Sequence, residues 1–108
     1  REEGMIKMKK ILLCCAAGMS TSLLVNKMKA EAEKRGIEVE IWAEPLDKAK
    51  EEFAKADVVL LGPQVKYALP EAKKIAEENN INIDVINMVD YGMMNGAKVL
   101  DQALNLIK

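Results

Sequence analysis

Cys14 and Cys15 stand side by side where the apolar run "KKILLCC" meets "AAGMSTS", in a chain that has two cysteines and no histidine. A disulfide between sequence neighbours is strained, and in a reducing compartment both side chains are expected to be thiols. The residues after Cys15 are Ala16, Ala17, Gly18, Met19, Ser20, Thr21 and Ser22. They are small enough to let the backbone curl with its N–H groups pointing inward, which makes an anion-binding nest. Hydroxyl residues suited to capping mark a helix start at the same place, and the positive end of that helix adds to the nest. A thiol in this field is expected to ionise more readily, because N–H groups and dipole stabilise the thiolate without a cationic side chain. The chemistry implied is a sulfur nucleophile poised over a phosphate cradle.

Neighbours on a strand point to opposite faces, so at most one of the two cysteines can occupy that cradle. Free cysteine is most often a small apolar core residue, and that is the expectation for Cys14. Cys15, at the strand's carboxyl end, is the candidate nucleophile. The missing histidine removes the commonest general base, the commonest metal ligand and any phosphohistidine of the chain's own. No spacing of cysteine and carboxylate suggests a metal centre, so neither metal nor cofactor is expected.

The elements that must position these residues alternate along the chain. "KKILLCC" reads as a strand, and "STSLLVNKMKAEAEKRG" as a helix with Leu24, Met28 and Ala32 on one stripe, stopped by Gly36. "IEVEIWA" alternates as a second strand, and a short helix after Pro45 turns Leu46, Ala49 and Phe53 inward. "DVVLLG" is a wholly apolar strand halted at Gly62-Pro63. "KYALPEAKKIAEENN" is helical with Leu69, Ala72, Ile75 and Ala76 inward, Pro70 being tolerable only in its first turn. "INIDVIN" alternates as a fourth strand, "MVDYGMMNG" reads as a loop, and "AKVLDQALNLIK" closes as a helix carrying Leu100, Ala103, Leu104 and Ile107.

The fold class expected is therefore α/β, a single open four-stranded parallel sheet with helices on both faces. Strands 1 and 3 are apolar on both faces and strands 2 and 4 alternate, so the first pair is central and the second lies at the edges. Right-handed crossovers then give the order 2-1-3-4. A crevice should open above the carboxyl ends of strands 1 and 3, lined by the loop after Cys15 and by the turn Gly62 to Gln64.

At 108 residues the chain is about one domain long. Half of it is apolar and 31% is charged, with 16 Lys+Arg against 17 Asp+Glu. A net charge of −1 gives no electrostatic footprint for nucleic acid or an anionic membrane. No apolar run approaches the ~20 residues that span a bilayer, and "REEGMIKMKK" lacks the core of a secretory signal, so a cytoplasmic protein without membrane insertion is expected. Residues 1–8 begin with Arg ahead of possible initiators at Met5 and Met8. They are expected to be an extension or cloning remnant before a domain at 9–108.

A phosphate loop behind a cysteine resembles that of the low-molecular-weight tyrosine phosphatases and the related arsenate reductases, whose loop reads Cys-x5-Arg. Here Thr21 takes the arginine's place. Without a guanidinium to clamp the equatorial oxygens, fast hydrolysis is disfavoured, whereas a carrier needs a thiophosphate that outlasts water. Three readings follow: a phosphoryl carrier, a cysteine phosphatase or arsenate reductase, and a non-catalytic anion-binding or redox module.

"CAAGMSTS" from Cys15, "ADVVLLGPQVKYALPE" from Ala56 and "VINMVDYG" together resemble the IIB component of the lactose/cellobiose (diacetylchitobiose) class of the bacterial phosphoenolpyruvate-dependent sugar phosphotransferase system. The resemblance runs from about Lys9 to Lys108, with the Cys-x-x-Gly-Met-Ser-Thr-Ser loop and the Gly-Pro-Gln turn as its most specific parts. It implies a cysteine phosphorylated by a phosphohistidine of a IIA protein and a phosphoryl group passed to a cellobiose-, chitobiose- or lactose-like sugar at a membrane IIC transporter. On this chain it makes Cys15 the phosphocysteine, makes Ala16 to Ser22 the phosphate loop, and gives Cys14 no role. The sugar's base should then come from the transporter.

Further residues carry two readings each. Gln64 could donate to phosphoryl oxygens and Tyr67 could rim the crevice, yet a Gly-Pro-Gln turn also simply ends a strand. Asp90 could act as an acid or only form a turn. Met19, Met93 and Met94 could be partner contacts or packing. The runs "KMKAEAEKR" and "EAKKIAEEN" are most simply solvated helix faces.

Overall fold

Strand β1, Lys9–Cys15, is buried from Ile11 onward, which is what a residue run apolar at every position requires of a strand covered on both sides. The computed structural model describes residues 8–15 and 19–107, with only the backbone of 19–21. The expectations for residues 1–7 and for the stretch Ala16 to Gly18 therefore lie outside the described residues. The other elements are α1 (Met19–Arg35), β2 (Val39–Pro45), α2 (Leu46–Glu52), β3 (Val58–Leu61), α3 (Leu69–Glu78), β4 (Asn82–Val85), α4 (Met88–Gly92) and α5 (Gly96–Leu106). Short 3₁₀ segments at Phe53–Lys55 and Pro63–Ala68 lead into β3 and α3.

The sheet is parallel throughout and ordered β2-β1-β3-β4, with Cys14 beside Glu44 on one side and Leu61 on the other. Alternate residues of the central strands feed two cores. Ile11, Leu13, Val58 and Leu60 meet Leu24, Met28 and Ala32 of α1 and Val99, Leu100 and Ala103 of α5. Leu12, Cys14, Val59 and Leu61 meet Ala49, Phe53, Val65, Ala72 and Ala76 on the side of α2 and α3. Each large aliphatic side chain taken from water contributes about 1.5–3 kcal/mol, and two independent layers of them hold a sheet of four short strands. The edge strands are only half-buried, as their alternation requires.

Boundaries differ from the sequence pattern where capping overrides it. Ile37 continues the apolar alternation of β2 but belongs to the end of α1: its N–H closes onto the Ala32 carbonyl (2.9 Å) while that of Gly36 closes onto Glu33 (3.1 Å). That pair of bonds is a Schellman closure, with Ile37 packed in the same core as Ala32. The strand therefore starts at Val39 and runs two residues past Ala43. Asn80 and Ile81 end α3 in the same way on Glu77 and Ala76, which delays β4 to Asn82. Lys66 to Ala68 are 3₁₀ rather than α, so α3 begins at Leu69 with Pro70 in its first turn.

The segment expected as a loop, "MVDYGMMNG", contains a helix. Asn87 Oδ1 accepts from the N–H groups of Val89 (3.0 Å) and Asp90 (3.1 Å) and so nucleates α4. Five residues are too few for an apolar period to register, so the cap was the only local signal.

Helix α5 meets α1 at Gly96, where a Cβ would lie 2.7 Å from the Lys27 carbonyl carbon. Backbone cannot yield as a side chain can. Gly96→Ala is expected to destabilise the fold by about 1–3 kcal/mol through forced separation of the two helices, read as a lower urea midpoint with an unchanged slope. An unaltered midpoint would show that the helices are not held this tightly.

Candidate active site

The carboxyl ends of β1 and β3 meet at one edge of the sheet, and the two cysteines reach it on opposite faces. Cys14 shares its parity with Leu12 and lies wholly buried in the α2/α3 layer. Cys15 shares its parity with Ile11 and Leu13, so it faces the side of α1 and α5; it is 2% exposed, and its thiol donates to the Glu44 carbonyl at 3.7 Å. Burial pushes the Cys14 thiol up to about 12, and a negative charge on Cys15 would push it the same way. Cys14 is consequently a neutral thiol over the whole physiological range, whereas nucleophilic sulfur chemistry needs a thiolate.

Helix α1 starts at Met19, so of the seven residues expected to form the loop, Met19, Ser20, Thr21 and Ser22 are its first turn. The leading N–H groups of a helix have no partner within it, and no acidic side chain occupies this first turn to offset the positive dipole end. Ala16, Ala17 and Gly18, the rest of the expected loop, fall outside the described residues.

The described arginine, Arg35, is at the far end of α1, about 24 Å along the axis at 1.5 Å per residue. It is engaged there by Glu31 (2.7 Å) and Asp101 (2.6 Å). Among the described residues no guanidinium serves the Cys15 edge, in keeping with Thr21 at the phosphatase arginine's place.

Gln64 and Tyr67, both on the 3₁₀ segment after β3, part company. The Gln64 side chain folds back over Gly62, its Oε1 lying 2.7 Å from where a Cβ on Gly62 would stand, and its Nε2 donates to the Tyr91 hydroxyl at 2.9 Å. The Gly62 N–H in turn donates to the Cys14 carbonyl (2.8 Å), which ties this turn to β1 one residue before Cys15. Tyr67 is 75% exposed. The backbone of Asp90 is structural: its N–H is capped by Asn87 and its carbonyl accepts from Asn95 N–H (2.8 Å). Met93 is exposed, whereas Met94 packs against the α1/α5 core.

Tyr91 is the residue that sequence reasoning passed over. It is buried in the α1/α5 core with its hydroxyl on Gln64. The available signal was a tyrosine just beyond an edge strand, because a buried phenol needs a polar partner and the sheet end offers few.

The comparisons with known proteins agree on one family. A family model described as "PTS system, Lactose/Cellobiose specific IIB subunit" matches residues 10–102. An oligo-beta-mannoside-specific EIIB component of Bacillus subtilis (strain 168) is 55% identical over 100 residues, which is 93% of this chain and 97% of that protein. A galactose-specific EIIB component of Lactococcus lactis subsp. cremoris (strain MG1363) is 49% identical over 92% of this chain and 96% of its own. Among solved structures, the cellobiose-specific phosphotransferase IIB component of Borrelia burgdorferi superposes with a TM-score of 0.79 at 39% identity, covering 95% of this chain and 94% of that one. The lactose-specific IIB component domain of the phosphoenolpyruvate:carbohydrate phosphotransferase system from Streptococcus pneumoniae reaches 0.85 at 23% identity, covering 94% and 100%, a likeness of fold.

The raised Cys14 value has a consequence for stability. Folding holds the proton on Cys14, so this contribution is complete below the ordinary thiol value of 9.0 and is lost as pH rises from there toward 12. Cys14→Ala is expected to be less stable than the unaltered protein at pH 8 by about 1 kcal/mol, one buried sulfur's worth of packing. The difference should shrink or reverse by about 2 kcal/mol at pH 11, because only the unaltered chain carries the penalty. Urea unfolding at both pH values measures it, and a gap that does not change with pH would refute the assignment.

Proposed function

The chain belongs to the lactose/cellobiose-specific IIB family of the sugar phosphotransferase system and is a phosphotransfer component of it, and from that premise we propose that Cys15 carries the phosphoryl group. The observation that supports this choice is the division of the two thiols between the faces of β1. Cys14 is sealed in the α2/α3 layer, while Cys15 ends the strand on the opposite face, three residues of sequence before α1 begins.

In the proposed reaction the Cys15 sulfur attacks the phosphorus of a phosphohistidine on a IIA protein. The S–P bond forms as the P–N bond breaks, and the departing imidazole nitrogen takes up the thiol's proton. The imidazole has to be supplied in this way because the chain contains no histidine. A sugar hydroxyl at the membrane IIC component then attacks the same phosphorus: an O–P bond forms, the S–P bond breaks, and Cys15 leaves as a thiolate that takes up a proton from water to return to the thiol. The hydroxyl's proton goes to a base on the transporter.

The loop amides of Ala16 to Ser22 and the α1 dipole are proposed to hold the phosphoryl group through both steps, with Gln64 as a side-chain donor at the rim. Tyr67 fits a contact on the outer rim better than one to phosphate, since its ring is 75% exposed. Neutral donors spread over the equatorial oxygens suit a carrier, because they bind the group without drawing off the charge that water would need to displace. Family membership and the remoteness of Arg35 disfavour the phosphatase and arsenate reductase reading. The proposed sugar is of the cellobiose, chitobiose or lactose type, with exchange on the cytoplasmic side of the membrane. Among the described residues no helix is long and apolar enough to cross one.

Incubation with phosphoenolpyruvate and the upstream phosphotransferase proteins, followed by mass spectrometry, is expected to find one phosphoryl group, on Cys15. Cys15→Ser should lower its formation by about 100-fold or more, since a hydroxyl ionises far less readily than a thiol. Cys14→Ser should remain competent. Phosphorylation that survives Cys15→Ser and is lost in Cys14→Ser would reverse the assignment, and rapid hydrolysis of an aryl phosphate would restore the phosphatase reading.

A further inference from the structure

The bond between Gln64 and Tyr91 joins the two layers of the molecule across the edge where Cys15 ends. Gln64 belongs to the segment whose Val65 packs into the α2/α3 core, whereas Tyr91 is anchored in the α1/α5 core, the face that Cys15 shares. We propose that Tyr91 is a positioning residue for phosphoryl transfer: its hydroxyl holds the Gln64 amide over the carboxyl ends of β1 and β3, leaving one amide N–H to meet the oxygens of a phosphoryl group on Cys15. This inference rests on the reading of Cys15 as the phosphorylated residue.

Three features of the geometry carry it. First, a primary amide has two N–H donors, and one of them is spent on Tyr91 at 2.9 Å. The second is therefore held in a fixed direction by the first. Second, the fold reserves the space in which the amide lies. Any side chain at position 62 would begin 2.7 Å from Gln64 Oε1 and 3.4 Å from the Cys14 carbonyl oxygen, so glycine keeps the amide close to the end of β1. Third, the support is stiffer than what it supports. Gln64 is exposed, and alone it would sample many rotamers; Tyr91 is only 8% exposed, and its helix is fastened by the Asn87 cap. A mobile donor becomes preorganised by leaning on a buried ring, and preorganisation is what lets a neutral hydrogen bond count in a transition state.

The alternative is that Gln64 does no more than satisfy a buried phenol. The two differ in what is lost with the hydroxyl. A role confined to satisfying Tyr91 lowers stability and leaves transfer alone, whereas positioning lowers the rate at which bound donor reacts.

The experiment is single-turnover transfer from phosphorylated IIA protein, with the first-order rate separated from the half-saturating donor concentration. It is run at a temperature where circular dichroism shows every variant folded. Tyr91→Phe and Gln64→Ala are each expected to slow the first-order step about tenfold, with half-saturation within about twofold of the unaltered protein. Because Tyr91 acts through Gln64, the double variant should be no slower than the slower single one. Transfer by Tyr91→Phe at the unaltered rate overturns the proposal, as does a double variant slowed about 100-fold or an effect confined to half-saturation. Mass spectrometry of the unaltered protein separates the two levels of failure. Phosphate located elsewhere than Cys15 refutes the parent reading, while phosphate on Cys15 with normal transfer by Tyr91→Phe refutes only the positioning role.

Discussion

Side-chain alternation along β1 is the constraint on which everything else in this structure turns. It sends Cys14 into the α2/α3 layer and Cys15 to the opposite face, and the parallel sheet fixes which end of the strand they occupy. A slip of one residue in the pairing of β1 with its neighbours would exchange the two thiols. The register is defended on both sides: Ile11 to Cys14 pair with Val58 to Leu61 on one flank and with Ile41 to Glu44 on the other. Four consecutive buried residues feeding alternate cores make any other register expensive, and the positions of both sulfurs inherit that certainty.

The sheet order was legible because burial is written differently into central and edge strands. "ILLCC" and "VVLL" tolerate no polar residue, while Glu38 and Glu40, or Asn82 and Asp84, declare a face that meets solvent. The ends of elements were not legible in this way. Ile37 and Ile81 look like strand residues and are recruited instead to close the preceding helices, since a Schellman closure needs an apolar residue just where an alternating strand also offers one. Helix α4 escaped because its five residues give no period, although Asn87 advertised the cap. Of the candidate site, the two thiols could be told apart by parity alone. The Gln64–Tyr91 contact could not, because it joins residues 27 positions apart and depends on how far a 3₁₀ turn carries a side chain across the end of β3.

The charge distribution suits transfer between proteins. The chain's formal charge is −1, and its described arginine is held by two carboxylates at the other end of α1. Among the described residues no guanidinium reaches the edge that carries Cys15. A guanidinium would bind a phosphoryl group more strongly and would also stabilise the attack of any nucleophile, water included. A relay needs a group that leaves readily to one acceptor and slowly to the solvent, and the carrier role proposed for Cys15 would be served by directional donors without a guanidinium.

The resting contact of Cys15 adds a further step to that reasoning. Its thiol gives its hydrogen to the Glu44 carbonyl, on the side of the edge strand β2. The two thiols are thus placed by different means: Cys15 by a hydrogen bond to the backbone of an edge strand, Cys14 by packing in the α2/α3 layer, where burial raises its pKa and keeps it protonated. Parity alone separates the faces, and these two kinds of support fix each sulfur on its own side of the sheet.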